Sequence, residues 1–444
     1  MKSFIYTVGF LFVVLNFTSC TNDHTVTISE TDNELESKLN ALGKESFILP
    51  ESWQFENIPQ DPKNPITKSK VALGGFLFHE TALSIDSKDP STKKTFSCAS
   101  CHHAAAGFQA GTFQGIGEGG IGFGLSGETR HPSLSLADVD VQPLRSPSAM
   151  NGAYQKNQLW NGQFGATHLN EGTEANWTTG TPIATNKLGF EGLETQAIAG
   201  MSVHRLNINE DVLKMPAYKK LFDEVYADIP ESERYTKVTA GLAIAAYERT
   251  LLSNQAPFQK YLKGNKEALT EQEKQGAIVF FGKGQCVSCH NGPALNSMQF
   301  TAIGMGDLVD CPEQTLKTIQ NDPANLGRGG FTKNPADNYK FKVPQLYNLK
   351  DSPFYGHGSS LRSVRDVLIY KNNGKSENIH VPTSSLDNRF LPLHLTETEL
   401  KALEAFIVNG LYDPQLKRYI PQNLPSGQCF PNADIQSRKD MDCF

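Results

Sequence analysis

Along TKSKVALGGFLFHE, Thr67 to Glu80, apolar side chains fall at Val71, Leu73, Phe76, Leu77 and Phe78, a helical spacing weakened by Gly74 and Gly75. VTAGLAIAAYERTLLSNQAPFQKYL, within Tyr235 to Leu262, is strongly helical in its first half. LTEQEKQGAIVFFGKG opens on a capping box, Thr270 with Glu273, and LTETELKALEAFIVNG repeats the device with Thr396 and Glu399 before a natural stop at Gly410. By contrast Gly111 to Glu128 holds eight glycines and no apolar stripe, so it reads as a long loop. Its Gly115 to Gly120 GxGxxG lacks the strand-helix frame that a dinucleotide site needs. These patterns predict a mainly α fold with long loops.

The N-terminus has another character. Lys2 precedes FIYTVGFLFVVLNF, an apolar run too short for a comfortable membrane span, and FTSC ends at Cys20, so residues 1–20 read as an export signal. Cys20 after Thr18 and Ser19 resembles a lipobox, although Phe17 stands where an aliphatic residue is usual. Lipid attachment at Cys20 and plain cleavage near Ser19 both export the chain to the periplasm. Residues 21–46 are polar and read as a tether or marginal helix.

At 444 residues the chain exceeds what one core usually serves, which suggests domains at 47–234 and 235–430 with a tail at 431–444. With 39% apolar residues, 20% charged residues and a net charge of −6, the composition is that of a folded soluble protein without an electrostatic footprint for nucleic acid. A small basic electron carrier is compatible with that charge. Membrane association would then come through a lipid anchor only.

Chemistry concentrates in FSCASCHH and GQCVSCHN. Two thiols on one turn can each add to a vinyl group of haem, and the next imidazole can bind the iron from one face. Cys98, Cys101 and His102 would hold one haem, and Cys286, Cys289 and His290 another. A zinc site built from the four thiols, or a redox dithiol, is the alternative. The histidine after both pairs, their wide separation and the export signal favour haem. His103 points about 100° away from His102 and reads as a neighbour. Of the remaining cysteines, Cys311, Cys429 and Cys443 allow one disulfide whose pairing stays open.

With those motifs in view, the chain resembles the bacterial di-haem cytochrome c peroxidases and their MauG relatives from about Pro65 to Leu411. The stretches that carry the resemblance are KVALGGFLFHETALSID, RSPSAMNGAYQKNQLWNGQF, AIAAYERTLLS, FFGKGQCVSCHNGP, FKVPQLYNL and PFYGHGSS. It implies two cytochrome c-like helical domains with one covalent haem c each, the first meeting peroxide and the second receiving electrons. It also implies Trp160 between the haems, a position that a buried core aromatic would fill equally well.

The departures fall at the peroxide pocket. In LETQAIAGMSVHRLN, Gln196 matches the family glutamine, Gly200 stands at its proline and Leu206 at its glutamate, so the expected acid-base carboxylate is missing. His204 is the leading substitute, because an imidazole can move a proton near neutral pH, and Arg205 is a candidate to stabilise departing charge. Arg145 occupies the position of a calcium-ligating asparagine, which leaves calcium uncertain and suggests a guanidinium in its place. His131 is a candidate sixth ligand for the first haem. For the second, Lys371 aligns with the family ligand, Tyr370 beside it is the candidate, and Met298 is the alternative.

The expected activity is reduction of hydrogen peroxide with electrons from a small donor such as a cytochrome c or cupredoxin. A MauG-like oxidase acting on a partner protein's side chain and a di-haem electron carrier without peroxide turnover are the alternatives. By family analogy a homodimer is expected.

Overall fold

The computed structural model describes residues 29–122, 129–428 and 435–440. The expected signal and Cys20, part of the glycine-rich loop, Cys429 and Cys443 lie outside the described residues. In chain order the helices are α1 (Glu30–Ala41), α2 (Lys68–His79), α3 (Gly192–Val203), α4 (Glu210–Leu213), α5 (Pro216–Val225), α6 (Glu231–Arg234), α7 (Lys237–Arg249), α8 (Pro257–Leu262), α9 (Glu271–Phe280), α10 (Arg328–Thr332), α11 (Val364–Asn373), α12 (Glu397–Ala405) and α13 (Ile435–Asp440). Among the described residues, sheet is confined to two antiparallel pairs of two-residue strands. One pairs Gly120–Ile121 with Thr129–Arg130 and the other Phe300–Thr301 with Phe341–Lys342. The mainly α class is therefore observed, and among the described residues no helix is long and apolar enough to cross a membrane.

Two large cores organise the described residues, beside a small cluster of Ile116, Leu134 and Val139. One gathers Leu73, Leu77 and Phe78 of α2, Ala197 and Met201 of α3, Tyr218 and Phe222 of α5, and Ala243 and Ile244 of α7. The other is built on Phe258, Phe280, Phe281 and Phe406, whose rings pack 5.0–6.4 Å apart, mostly edge to face. Each contains the same crossing. A Cβ on Gly74 of α2 would lie 1.9 Å from the Ala243 carbonyl oxygen of α7, and one on Gly276 of α9 would lie 2.0 Å from that of Ala402 in α12. The glycines that weaken the helical pattern of α2 are what allow its backbone to approach α7.

Both capping boxes form as the sequence suggests, with Thr270 accepting from Glu273 N and Thr396 from Glu399 N. α12 continues into a π-helical turn, Phe406–Gly410, so its end coincides with the expected stop.

The stretch read as a tether or marginal helix carries α1, whose Leu35 and Leu39 are fully buried in the second core, while Asp32 receives a hydrogen bond from Lys274 of α9 at 2.9 Å. Two leucines one turn apart suffice to dock an otherwise polar helix. A boundary at 234/235 would also place α7 in the second unit, whereas α7 packs against α2 and α3 in the first core. Buried Arg249 at its end donates to Glu194 at 2.7 and 2.9 Å and to Glu191 at 3.1 Å, which fixes α3 to α7.

Candidate active site

Each CxxCH begins on a single 3-10 turn, Cys98–Ser100 or Cys286–Ser288. The turn delivers its histidine to a carbonyl-lined edge. His102 Nδ1 donates to the Phe108 carbonyl at 3.2 Å, and His290 Nδ1 faces the Leu295 and Pro344 carbonyls at 3.1 Å each. A carbonyl can only accept, so Nδ1 carries the proton and Nε2 keeps a free lone pair. Burial pushes both imidazoles down to about 4 and so keeps them neutral, the form that binds a metal.

Burial pushes the Cys98 and Cys286 thiols up to about 12, which opposes the thiolates that zinc or a redox dithiol would need. Among the described residues no three His, Cys, Asp or Glu side chains converge on a metal site, so the four thiols do not meet. The second motif instead opens onto a cavity of about 300 Å³, walled by Val343, Leu346, Val364, Leu368, Phe390 and Ile407. An apolar cleft with thiols and a neutral imidazole at its rim fits covalent haem.

The candidate distal residues of the first motif lie at the end of α3. His204 caps the helix and donates from Nδ1 to Asp140 at 2.7 Å. Burial alone would lower its pKa, but the Asp140 carboxylate outweighs this and raises it. Each of His102 and His204 feels the field of this region, since a charge on His204 lowers the His102 pKa. Gln196 and Gly200 precede His204 at four-residue steps on one broad face of α3. Gln196 is half-buried without a side-chain hydrogen bond among the described residues, and a Cβ at Gly200 would meet only His204, at 3.9 Å. That face therefore has room over it.

Leu206, at the position of the missing glutamate, is 1% exposed and belongs to the first core, so its position offers no group to the pocket. Arg205 points away as well, since its guanidinium is held by Glu118 and by the Asp138 carbonyl. It is therefore not placed to stabilise departing charge, and its hydrogen bond to buried Glu118 explains why. His131 is also engaged elsewhere, because its Nδ1 accepts from Ser133 Oγ at 2.8 Å within its own turn. Asp140 was missed in the sequence, where an aspartate in ADVDVQ carries no signal.

Trp160 lines the cavity of the second motif, and its Nε1 donates to the Arg145 carbonyl at 2.8 Å. Buried Arg145 donates to Gln109 Oε1 at 2.8 Å and Ser352 Oγ at 2.5 Å, while burial pushes its guanidinium down to about 10. Its Nε is a buried donor without a protein partner, an orphan suited to a carboxylate of the prosthetic group. His102 also feels the Arg145 charge, so the arginine is close to both motifs.

The candidate sixth ligands of the second haem separate clearly. Tyr370 Oη donates to the Ile303 carbonyl, and neither Tyr370 nor Met298 lines the cavity, whereas Met305 and Lys371 do. Cys311 is a free thiol, 2.9 Å from Glu313 Oε2.

Comparison with known proteins agrees with this arrangement. A family model described as di-haem cytochrome c peroxidase matches residues 68–267. The cytochrome c551 peroxidase of Nitrosomonas europaea is 30% identical over 317 residues, covering 70% of this chain and 76% of that protein. The methylamine utilization protein MauG of Methylorubrum extorquens is 27% identical over 399 residues, covering 88% and 89%. Among solved structures, a MauG-like protein associated with microbial copper homeostasis superposes with a TM-score of 0.57 at 22% identity, covering 83% of this chain and 95% of that one.

Proposed function

The chain belongs to the di-haem cytochrome c peroxidase family, which makes it an oxidoreductase, and on that premise we propose that it reduces hydrogen peroxide to water in its first unit. With haem held by Cys286, Cys289 and His290 and by Cys98, Cys101 and His102, the second site would take electrons from a small donor such as a cytochrome c or cupredoxin and supply them to the first. The observation that carries the reading is the His204–Asp140 pair beside the first CxxCH.

Bound haem supplies the iron-centred redox chemistry. The chain supplies proton management. Reduction consumes two electrons and two protons per peroxide and releases two waters. Asp140 holds His204 in the Nδ1–H tautomer, leaving Nε2 to accept a proton from one peroxide oxygen and return it to the departing one. Gln196, on the same face of α3, orients the substrate by hydrogen bonding. Trp160, anchored to Arg145, provides the aromatic step between the two sites. Export to the periplasm, with lipid attachment at Cys20, and assembly as a homodimer complete the reading.

The test is stopped-flow absorption of half-reduced, fully haem-loaded protein mixed with hydrogen peroxide, in wild type, His204→Ala and Gln196→Ala. Rapid oxidation that collapses in His204→Ala is expected. A fully loaded wild type that ignores peroxide would sink the proposal and leave an electron carrier. An oxidised state that persists with donor present and is consumed only by a partner protein would favour the MauG-like alternative.

A further inference from the structure

Helix α11 presents Val364, Val367, Leu368 and Lys371 to the cavity that holds the second CxxCH. These positions follow i, i+3, i+4 and i+7, the spacing of one continuous helical stripe. Three members are apolar and suit the face of a porphyrin. The fourth brings a primary amine into the same wall, near the Cys286, Cys289 and His290 motif whose electrostatics it shares.

The Lys371 amine has no protein partner there. Among the described residues it forms no hydrogen bond or ion pair, and the nearest contact of Nζ with an aromatic is the Phe390 ring, 5.4 Å to the centroid. The neighbouring carboxylate is already taken, since Asp387 receives Arg389 Nε and Nη2 at 2.9 and 2.8 Å. An amine that gives up its proton has one lone pair and can serve as a metal ligand.

Apart from the Arg145 Nε, the other basic groups on the cavity wall are engaged. His357 Nε2 pairs with Asp307 at 2.9 Å and its ring stacks on Phe341 at 3.7 Å. Lys342 is held by Gln155 and by the Asn157 carbonyl at 2.7 Å. Tyr370, one residue from Lys371, points about 100° away and is tied to Ile303. Met305 packs against Gly356, where a Cβ would lie 3.0 Å from its sulfur.

We propose that Lys371 Nζ is the second axial ligand of the iron at the second haem, on the face opposite His290. The proposal rests on the di-haem reading. When the ammonium binds, its proton leaves to solvent and the nitrogen lone pair forms the iron bond, with no change in oxidation state. The role explains why a half-buried, unpaired lysine sits in an otherwise apolar haem-facing stripe, and it makes this electron-accepting site a nitrogen-ligated one.

The test uses the full-length, haem-loaded protein, with haem content measured first so that failure to load haem is distinguished from failure of ligation. Ferric protein grown on lysine carrying an isotopic label at Nζ should show nuclear coupling from that nitrogen to the second iron by electron-nuclear double resonance. Lys371→Ala and Lys371→Arg should both lose the low-spin signal of the second haem while keeping that of the first. Lys371→Met should gain the long-wavelength sulfur-to-iron absorption band. Absence of labelled-nitrogen coupling in wild type would overturn the proposal. So would a low-spin second haem that survives unchanged in Lys371→Arg, because a lysine that only neutralises a haem carboxylate is replaceable by arginine.

Discussion

His204 donates from Nδ1 to Asp140 Oδ2 across 2.7 Å, joining the end of α3 to the segment that follows the glycine-rich loop. The carboxylate raises the His204 pKa against the effect of burial. A proton acceptor must be neutral, so the rate of peroxide reaction should fall as pH drops through that raised value. Asp140→Asn removes the stabilising charge, which should move the acid limb to lower pH and also reduce the plateau through the wrong tautomer. His204→Ala should cost about a hundredfold to ten-thousandfold, the usual span for general acid-base catalysis. Stopped-flow rates against pH decide the matter, and an acid limb that does not move in Asp140→Asn would separate this pair from the chemistry.

Trp160 lines the cavity of the second motif, and its Nε1–H reaches the Arg145 carbonyl. Trp160→Phe keeps an aromatic ring and removes the hydrogen bond and part of the bridge. Peroxide should still oxidise the first haem, while oxidation of the reduced second haem should lag by tenfold or more, about 1.4 kcal/mol in barrier. Equal rates at both haems in the variant would remove Trp160 from the path.

The parts of this site that could be read from the chain are those whose chemistry is local. CxxCH places two thiols and an imidazole on one turn, and a capping box such as Thr270 with Glu273 spans a single turn, so adjacent letters suffice. Asp140 and His204 meet across 64 positions, and Arg145 finds Ser352 across 207, so neither pairing leaves a mark in the neighbouring residues. The docking of α1 escaped notice for a different reason. Its Leu35 and Leu39 make too short a stripe to outweigh a polar composition, although both are fully buried. The α7 placement likewise depends on partners in α2 and α3 that precede it by many residues.

Gly74 and Gly276 should be among the least replaceable residues. Alanine at either would place a methyl group about 2 Å from a backbone carbonyl oxygen of the crossing helix. Overpacking of a tight core typically costs about 1–3 kcal/mol, and here the obstacle is backbone, which cannot step aside as a flexible side chain would. Gly74→Ala should destabilise the core beside the first haem and Gly276→Ala the core beside the second. Thermal unfolding followed at each haem absorbance would check this. Unchanged midpoints in both variants would mean that the helices can separate at little cost.

Arg145 decides whether this protein needs a divalent cation between its haem sites. Its guanidinium already donates to Gln109 Oε1 and Ser352 Oγ, and Nη2 lies 3.4 Å from the Ala110 carbonyl. Three oxygens around a fixed positive charge satisfy those acceptors and leave calcium opposed by that charge. Chelator should therefore change neither the thermal midpoint nor the peroxide rate of wild type. Arg145→Asn should cost about 3 kcal/mol, because hydrogen bonds to a charged donor are lost and buried acceptors are stranded. The asparagine carbonyl would then join the same oxygens in a set suited to calcium, so added calcium should recover part of the lost stability in the variant alone. A wild type that loses its midpoint in chelator would show that a cation is bound despite the arginine.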